Sequence, residues 1–211
     1  MSSPDAERFA LAALDRFYRW QAPLYDWTRP FFLFGRGRMV DGLDVGPGHL
    51  VLDVGCGTGW SFPRLLRRSA RVVGIEVSEP MRRRAPALGG ATVDNRPYGT
   101  HNAYRGSVDR VLFSYSLSMI PPFEAAIESA RADLRPGGRI GVVDFLDARA
   151  PFDRWLRGSC VFLGGDRLAS LQAAFPSHRL VVARTPFWRY FMFWGESPRP
   201  DELAANPGST P

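Results

Sequence analysis

Residues 50–59 read Leu-Val-Leu-Asp-Val-Gly-Cys-Gly-Thr-Gly, an apolar run that enters a turn with glycine at every second position. Such a run predicts a buried strand feeding a tight strand-to-helix connection, the opening of a βαβ unit. Gly55, Gly57 and Gly59 remove side chains where the backbone can approach a ligand, and are expected to leave N–H groups there to donate. The dinucleotide fingerprint G-x-G-x-x-G needs its third glycine at position 60, which is Trp60 here, so pyrophosphate binding is disfavoured. Asp53, in the approach to the loop, points the same way, since it repels a phosphate and attracts a cationic or amino-acid-bearing ligand. Taken alone, the loop leaves a plain strand-to-helix turn as the alternative.

Downstream, short β-branched runs alternate with arginine- and alanine-rich segments, the rhythm of a parallel sheet with crossover helices. The pattern predicts strands over 50–54, 71–76, 92–93, 108–114 and 139–145, with helices over 61–68, 79–87 and 123–134. A helix over 166–175 and strands over 178–184 and 187–194 follow, and the short Thr185-Pro186 connection demands that these two strands pair antiparallel. Ahead of the glycine loop, Phe9, Ala13, Phe17 and Trp20 recur at helical spacing opposite Arg8, Asp15 and Arg19, an amphipathic helix over 5–21. An aromatic segment broken by Pro23 and Pro30 leads to a short helix over 36–43 and the Gly46-Pro47-Gly48 turn. The expected division is a helical, aromatic lid over 1–46, one α/β domain over 47–196 and an unstructured Pro/Gly/Ser-rich tail over 197–211.

All 27 basic residues are arginine, which excludes Schiff-base lysine chemistry and a Walker-type P-loop. Cys56 and Cys160, with the dispersed His49, His101 and His178, make neither a disulfide framework nor a metal site, and they suit a reducing compartment. No apolar run approaches the ~18 residues of a spanning helix. The opening Met-Ser-Ser-Pro-Asp has no apolar core of a secretory signal behind it, so a cytoplasmic location is expected. A net charge of +6 suits phosphate-bearing surfaces, or simply reflects an arginine-rich coding bias. Arg82-Arg83-Arg84 and the trio Arg64, Arg67 and Arg68 read either as solvated helix faces or as a surface for anionic lipid headgroups.

Glu76 closes the second strand, where an acid can accept hydrogen bonds from both hydroxyls of a ribose. Asp94 closes the third, and Leu134-Arg135-Pro136-Gly137-Gly138-Arg139-Ile140 reads as a helix stop, turn and strand. Together with the glycine loop these motifs, over roughly residues 50–145, resemble the class I S-adenosylmethionine-dependent methyltransferase family. The resemblance implies an α/β, Rossmann-like fold with a seven-stranded, mostly parallel sheet, an antiparallel C-terminal hairpin and an N-terminal helical lid. It implies S-adenosylmethionine as cofactor, leaving as S-adenosylhomocysteine. Asp53 and the backbone of Gly55, Gly57 and Gly59 would hold the methionine part, Glu76 the ribose, and Val77 and Asp94 the adenine. Ser114 and Tyr115 would line the floor where the methyl group moves.

The strand end Ser114-Tyr115-Ser116-Leu117-Ser118-Met119-Ile120-Pro121 lacks the Asp/Asn-Pro-Pro-aromatic run of nucleic-acid amino methyltransferases. No cysteine stands there either, so nucleic acid is not expected as a partner. Residues 17–26 are similar to the lid of methyltransferases of ubiquinone and phospholipid synthesis. Tyr25-Asp26-Trp27-Thr28-Arg29 with residues 31–35, residues 114–121, and Val142-Val143-Asp144-Phe145 with Trp155-Leu156 resemble the bacterial N-methyltransferases of betaine-lipid synthesis, which act on diacylglyceryl-homoserine. That resemblance implies the amine of a polar lipid headgroup as acceptor. The stripe Phe9, Ala13, Phe17 and Trp20, the aromatic residues Trp27, Phe31, Phe32 and Phe34 and the arginine-rich faces lead separately to an expected reversible association with an anionic membrane, at its inner face. A soluble small molecule or quinone as acceptor, and a non-catalytic S-adenosylmethionine-binding module, stay open.

A sulfonium is already a strong methyl donor, so alignment and a dry site suffice and dedicated acid–base groups are optional. Tyr18, Tyr25 and Tyr115 are the expected catalytic contacts, able to meet an ammonium by ring face or lone pair, or else they pack the cap and core. Asp144, ending the fifth strand, can neutralise a cationic acceptor or serve packing. The three histidines read as incidental, and Cys56 as packed behind the loop.

Overall fold

The computed structural model describes residues 32–68, 71–100, 104–159 and 161–199. The helix expected over 5–21, the aromatic segment through Phe31, both Tyr18 and Tyr25, and the chain from residue 200 lie outside the described residues. Seven strands, β1 (Leu50–Val54), β2 (Arg71–Ile75), β3 (Ala91–Asp94), β4 (Val108–Ser114), β5 (Leu134–Ala148), β6 (His178–Arg184) and β7 (Trp188–Glu196), form one sheet in the order β3-β2-β1-β4-β5-β7-β6. The first five run parallel, and β7 inserts between β5 and β6, antiparallel to both. Strand order reverses between β1 and β4, so the carboxyl ends of these two strands border a crevice outside the sheet.

Side chains alternate across the sheet and feed a core on each face. Val51, Leu112, Val143 and Phe145 join one core; Leu52, Val54, Val111, Phe113, Ile140 and Val142 join the other, under α4 (Phe123–Asp133) and α6 (Asp166–Ala174). Phe113, Phe191 and Phe193 are fully buried, each contributing about 1.5–3 kcal/mol relative to exposure before entropy is counted.

α1 (Arg36–Gly42) lies on the first face, and four contacts fix it there. A Cβ on Gly141 would stand 2.7 Å from Met39 Sδ and 2.9 Å from Leu43 Cδ1, so the missing side chain is what lets α1 approach β5. Trp194 Nε1 donates to Met39 O at 3.3 Å. Buried Arg110, from β4, donates to Leu43 O (2.8 Å) and Asp44 O (2.7 Å), occupying carbonyls at the helix's C-terminal end where a cation is favoured. Arg64 and Arg68, at α2 (Phe62–Leu66), both grip Asp41, at 2.6 and 2.5 Å. These two arginines therefore link α1 to α2 and the residues after it through half-exposed ion pairs at the surface, so this solvated face is internally paired.

Several element boundaries differ from the sequence reading. α3 (Glu79–Arg82) stops well short of 87, because Pro86 cannot donate and the chain closes instead with tight bonds from Arg84 N to Met81 O (3.0 Å) and Ala85 N to Arg82 O (3.1 Å). α5 (Phe152–Gly158) was not expected; at seven residues it is too short to form from local preference and is held by Phe152 stacking on Trp188, centroids 4.7 Å apart. The β6–β7 turn forms as the Thr185-Pro186 connection demands, with Thr185 Oγ1 accepting from Trp188 N at 3.0 Å. The tail was expected to begin at 197, but Ser197 N donates to Gly138 O (2.8 Å) and Gly137 N donates to Ser197 O (3.1 Å), so the β5–β7 pairing continues past that boundary. Among the described residues no helix is long and apolar enough to cross a membrane.

Candidate active site

The glycine loop joins β1 to α2 with Gly55, Gly57 and Gly59 at φ of 69°, 57° and 72°. All three sit in the left-handed region that a side chain disfavours. A Cβ on Gly55 would stand 2.4 Å from Ser116 Cβ, so the loop also packs directly against the end of β4. The N–H groups expected to face a ligand are used internally: Gly55 N donates to Ile75 O (2.8 Å), Gly57 N to Glu76 Oε2 (2.8 Å) and Gly59 N to Cys56 O (3.0 Å). The loop therefore offers close approach, while the N–H groups of its three glycines are already occupied and not free to donate to a phosphate. Cys56 is buried behind it, its sulfur 2.6 Å from where a Cβ on Gly74 would stand.

A cavity of about 190 Å³ opens beyond the carboxyl ends of β1, β2 and β4. Gly55, Gly57, Glu76, Val77, Ser114 and Tyr115 all line it, so six of the expected site residues converge there from three separate stretches of chain. Met81, Tyr98, Met119 and Ile120 also line it; methionine and aromatic residues just after strand ends read as core in the sequence and carried no signal of a site. A larger cavity, about 310 Å³, lies at the β6–β7 hairpin tip among Asp147, Arg149, Arg184 and Arg189, and no residue of the glycine loop reaches it.

Glu76 is buried and bridges the loop to the chain after β2, its Oε2 accepting from Gly57 N and its Oε1 from Ser78 N, each at 2.8 Å. Burial raises its pKa while these backbone donors and Arg82 oppose the rise. Each carboxylate oxygen has a second lone pair for a hydroxyl in the cavity. Asp53 lies outside the cavity lining, 2% exposed, with Oδ2 accepting from the Ser61 hydroxyl and Oδ1 without a hydrogen-bond partner among the described residues. Burial pushes its carboxyl up to about 6, against the opposing influence of Ser61 and Arg36. A buried carboxyl oxygen with no partner is costly, and a cationic group of a ligand would complete it.

Two expectations are changed by side-chain pairing. Asp94 does not line the cavity; Arg96 Nε donates to both of its oxygens (3.1 and 3.0 Å) and Arg96 N to Oδ1 (2.9 Å), holding the carboxyl below its ordinary range. Asp144 is fully buried and cannot meet an acceptor, because Ser118 N (2.7 Å), Ser118 Oγ (2.7 Å) and Phe145 N (2.8 Å) all donate to it. Its role is to hold the 3₁₀ turn Leu117–Met119 against β5, and Met119 in that turn lines the cavity.

Tyr115 has φ of 58°, a conformation that costs a non-glycine residue about 1–3 kcal/mol and concentrates at functional sites. Its hydroxyl donates to Phe34 O at 2.8 Å, its ring lies 4.7 Å from that of Phe145, and burial raises its pKa well above the ordinary value. Beside it, Phe32, Phe34, Phe152, Trp155, Phe187 and Trp188 make a continuous aromatic patch at the carboxyl end of β5, with Phe34 42%, Trp155 43% and Phe187 58% exposed. His49 accepts from Gly46 N at 3.0 Å and His178 stacks on Phe193, both turn and packing roles; His101 is outside the described residues.

Five parallel strands with one antiparallel insertion, a glycine loop after the first strand and an acid after the second define the Rossmann-like methyltransferase fold. The chain belongs to the methyltransferase-domain family, whose profile matches residues 28–191. It is 39% identical over 131 residues to nocamycin O-methyltransferase of Saccharothrix syringae, covering 57% of this chain and 47% of that protein. It is 32% identical over 141 residues to demethylmenaquinone methyltransferase of Beutenbergia cavernae, covering 61% and 57%. The chain thus spans about half the length of these curated relatives. Among solved structures, the phosphoethanolamine N-methyltransferase 2 of Haemonchus contortus, in complex with phosphomonomethylethanolamine and S-adenosylhomocysteine, superposes with a TM-score of 0.69 at 11% identity, covering 79% of this chain and 53% of that one.

Proposed function

We propose that the protein transfers a methyl group from S-adenosylmethionine to an amine, that of a polar lipid headgroup such as a betaine lipid or phospholipid. Its own residues fit that cofactor: the unpartnered Oδ1 of Asp53 suits the methionine ammonium, and the loop of Gly55, Gly57 and Gly59 allows close approach. Glu76 takes the ribose and Val77 the adenine, with Asp94 reaching the adenine amino group only on releasing Arg96. Bound there, S-adenosylmethionine supplies a methyl group on a sulfonium that needs no activation by the protein.

The amine reading rests on the protonation chemistry of the cavity. Among the described residues that line it, the ionisable ones are Glu76, Tyr98 and Tyr115. Glu76 is tied to Gly57 N and Ser78 N, Tyr98 donates its hydroxyl to Asp133 Oδ2 (3.0 Å) and Tyr115 to Phe34 O, and both tyrosine pKa values are raised by burial. None of these described residues is placed as a ready base, which favours an acceptor that is nucleophilic without one, such as a neutral amine. What is left to the protein is alignment and exclusion of water, by Tyr115 from the sheet and by Tyr18 and Tyr25 from the lid. The exposed aromatic patch beside Tyr115, bordered by Arg149, Arg184 and Arg189, suits an acceptor on an apolar molecule presented at an anionic surface. The identity to demethylmenaquinone methyltransferase favours a second reading, transfer to a quinone ring.

Incubation of the purified chain with methyl-labelled S-adenosylmethionine, a bacterial lipid extract and, separately, demethylmenaquinone tests both. Label in an amine-bearing lipid is expected. Label in the quinone alone establishes the second reading, and label in neither, with S-adenosylhomocysteine bound, leaves a cofactor-binding module.

A further inference from the structure

The cavity of about 310 Å³ at the tip of the β6–β7 hairpin holds none of the residues assigned to the cofactor. One row of paired residues crosses three strands there: Asp147 of β5 stands opposite Arg189 of β7, which stands opposite Arg184 of β6. Arg189 Nε donates to both oxygens of Asp147, each at 3.0 Å. Arg149 follows two residues after Asp147, and its N–H donates to Phe187 O at 2.9 Å, tying the chain beyond β5 to the hairpin tip. Arg149 and Arg184 are exposed and line the cavity, and their side chains have no hydrogen-bond or ion-pair partner among the described residues.

The fold does not require this gathering of charge. Arg184 directly opposite Arg189 is a like-charged cross-strand pair, which by itself destabilises a sheet. The acid at hand, Asp147, is already engaged by Arg189, so two of the three guanidinium charges lining the cavity are unmatched there. The Thr185 hydroxyl donates to Trp188 O at 2.9 Å, which leaves the guanidinium groups as the donors for an anion, and their planar forks match the oxygens of a phosphate. The surface beside them is apolar: Phe187 is 58% and Trp155 43% exposed, and Arg154 and Arg157 are exposed on α5 alongside Trp155. Ring contacts lead from Phe187 to Phe152 (6.3 Å), on to Trp188 (4.7 Å), to Phe145 (6.4 Å) and to Tyr115 (4.7 Å), which lines the active-site cavity. Exposed rings set among unmatched cations fit the boundary of an anionic bilayer, where cations meet phosphates and rings enter the apolar layer.

We propose that the β6–β7 hairpin tip docks on an anionic bilayer: Arg149 and Arg184 hold the phosphate of an anionic phospholipid in the hairpin cavity, while Phe187 and Trp155 enter the interface. The lipid held there is a docking lipid, separate from the methyl acceptor. The proposal rests on the lipid reading of the active site, whose membrane partner and contact face it names.

The test is co-sedimentation of the full chain, without S-adenosylmethionine, with vesicles of phosphatidylcholine alone and of phosphatidylcholine mixed with phosphatidylglycerol. The parent should bind the mixed vesicles and not the neutral ones. Arg149→Gln with Arg184→Gln should weaken that binding about thirtyfold, since a basic residue at an anionic surface contributes about fivefold. Phe187→Ser should weaken it with the salt dependence unchanged. Arg105→Gln with Arg131→Gln removes the same charge from exposed positions elsewhere and should change binding by no more than about twofold. Equal weakening by the two double variants overturns the proposal, because net charge alone then drives binding; so does a parent that binds neither kind of vesicle or both equally. If the first double variant does not fold, Arg149→Gln and Arg184→Gln singly carry the same comparison, each expected to lose about fivefold. Calorimetry with glycerophosphate and with a single-stranded oligonucleotide covers other sources of phosphate: tighter binding of either than of the mixed vesicles, abolished in the double variant, overturns the bilayer as occupant. Label transfer to lipid dispersed in detergent tests the acceptor reading apart from docking. Labelled lipid without vesicle binding overturns the docking alone, and vesicle binding lost in the double variant, without labelled lipid, upholds the docking site and refutes the acceptor reading.

Discussion

Gly55→Ala should be among the most damaging single-methyl changes in the protein. Gly55 has φ of 69°, and a left-handed conformation costs an alanine roughly 1–2 kcal/mol. The new methyl would also stand 2.4 Å from Ser116 Cβ, far inside contact distance. Ser116 cannot easily retreat, since its Oγ donates to Val54 O at 2.5 Å and its residue is buried. Overpacking of this kind costs about 1–3 kcal/mol. Together the two effects predict a loss of about 2–5 kcal/mol, a large share of the roughly 5–15 kcal/mol that a domain possesses. Urea unfolding of the parent and variant measures it. The two contributions separate in a Ser116→Gly background, where the clash disappears and Gly55→Ala should cost only about 1–2 kcal/mol. An equal cost in both backgrounds would show that Ser116 is not what the methyl meets. A cost below about 0.5 kcal/mol in the parent would show that the loop does not hold the conformation described.

Glu76→Gln leaves one acceptor oxygen for the N–H groups of Gly57 and Ser78, so S-adenosylhomocysteine should bind more weakly by about 1–3 kcal/mol in calorimetry; unchanged affinity removes Glu76 from the site. Asp53 has its pKa raised from an ordinary 3.8 to about 6, so the stability linked to its proton is complete below the lower value and lost as pH rises through the upper. A ligand ammonium favours the ionised form, so binding of S-adenosylhomocysteine should tighten as pH rises towards 6 and release a proton near pH 5, seen as buffer-dependent binding heat that Asp53→Asn abolishes. Tyr115→Phe removes the bond to Phe34 O and should cost about 0.5–1.5 kcal/mol in thermal unfolding, with turnover falling more than cofactor affinity; equal rates would leave Tyr115 as packing alone. The protein should float with phosphatidylglycerol vesicles at low salt and be released as salt rises, and Phe187→Ser with Trp155→Ser should weaken this; failure to float at low salt removes the membrane from the reading.

The sequence by itself determined the parts of this protein that depend on near neighbours. The strand-to-loop run at 50–59, the short β-branched and apolar runs alternating with helical segments and the three-residue reach from Thr185 to Trp188 set the loop, the parallel sheet and the antiparallel hairpin, because strand runs and turn length are local properties. They also located the stretches that meet at the cavity, since residues at the carboxyl ends of adjacent parallel strands must lie side by side. The tertiary structure alone decided what each polar group does. Asp144 and Asp94 look alike in sequence, each an acid at or near a strand end, yet one is sealed beneath Ser118 and the other turned outward to Arg96. The glycine N–H groups were legible as donors but not as donors already matched by Ile75, Glu76 and Cys56. Arg36 meets Ser114 across 78 positions because Gly141 leaves room for α1, and α5 exists because Phe152 finds Trp188. A hydrogen bond or a desolvation cost belongs to whatever lies within about 3–4 Å in space, and that neighbourhood is set only once the sheet has brought distant segments together.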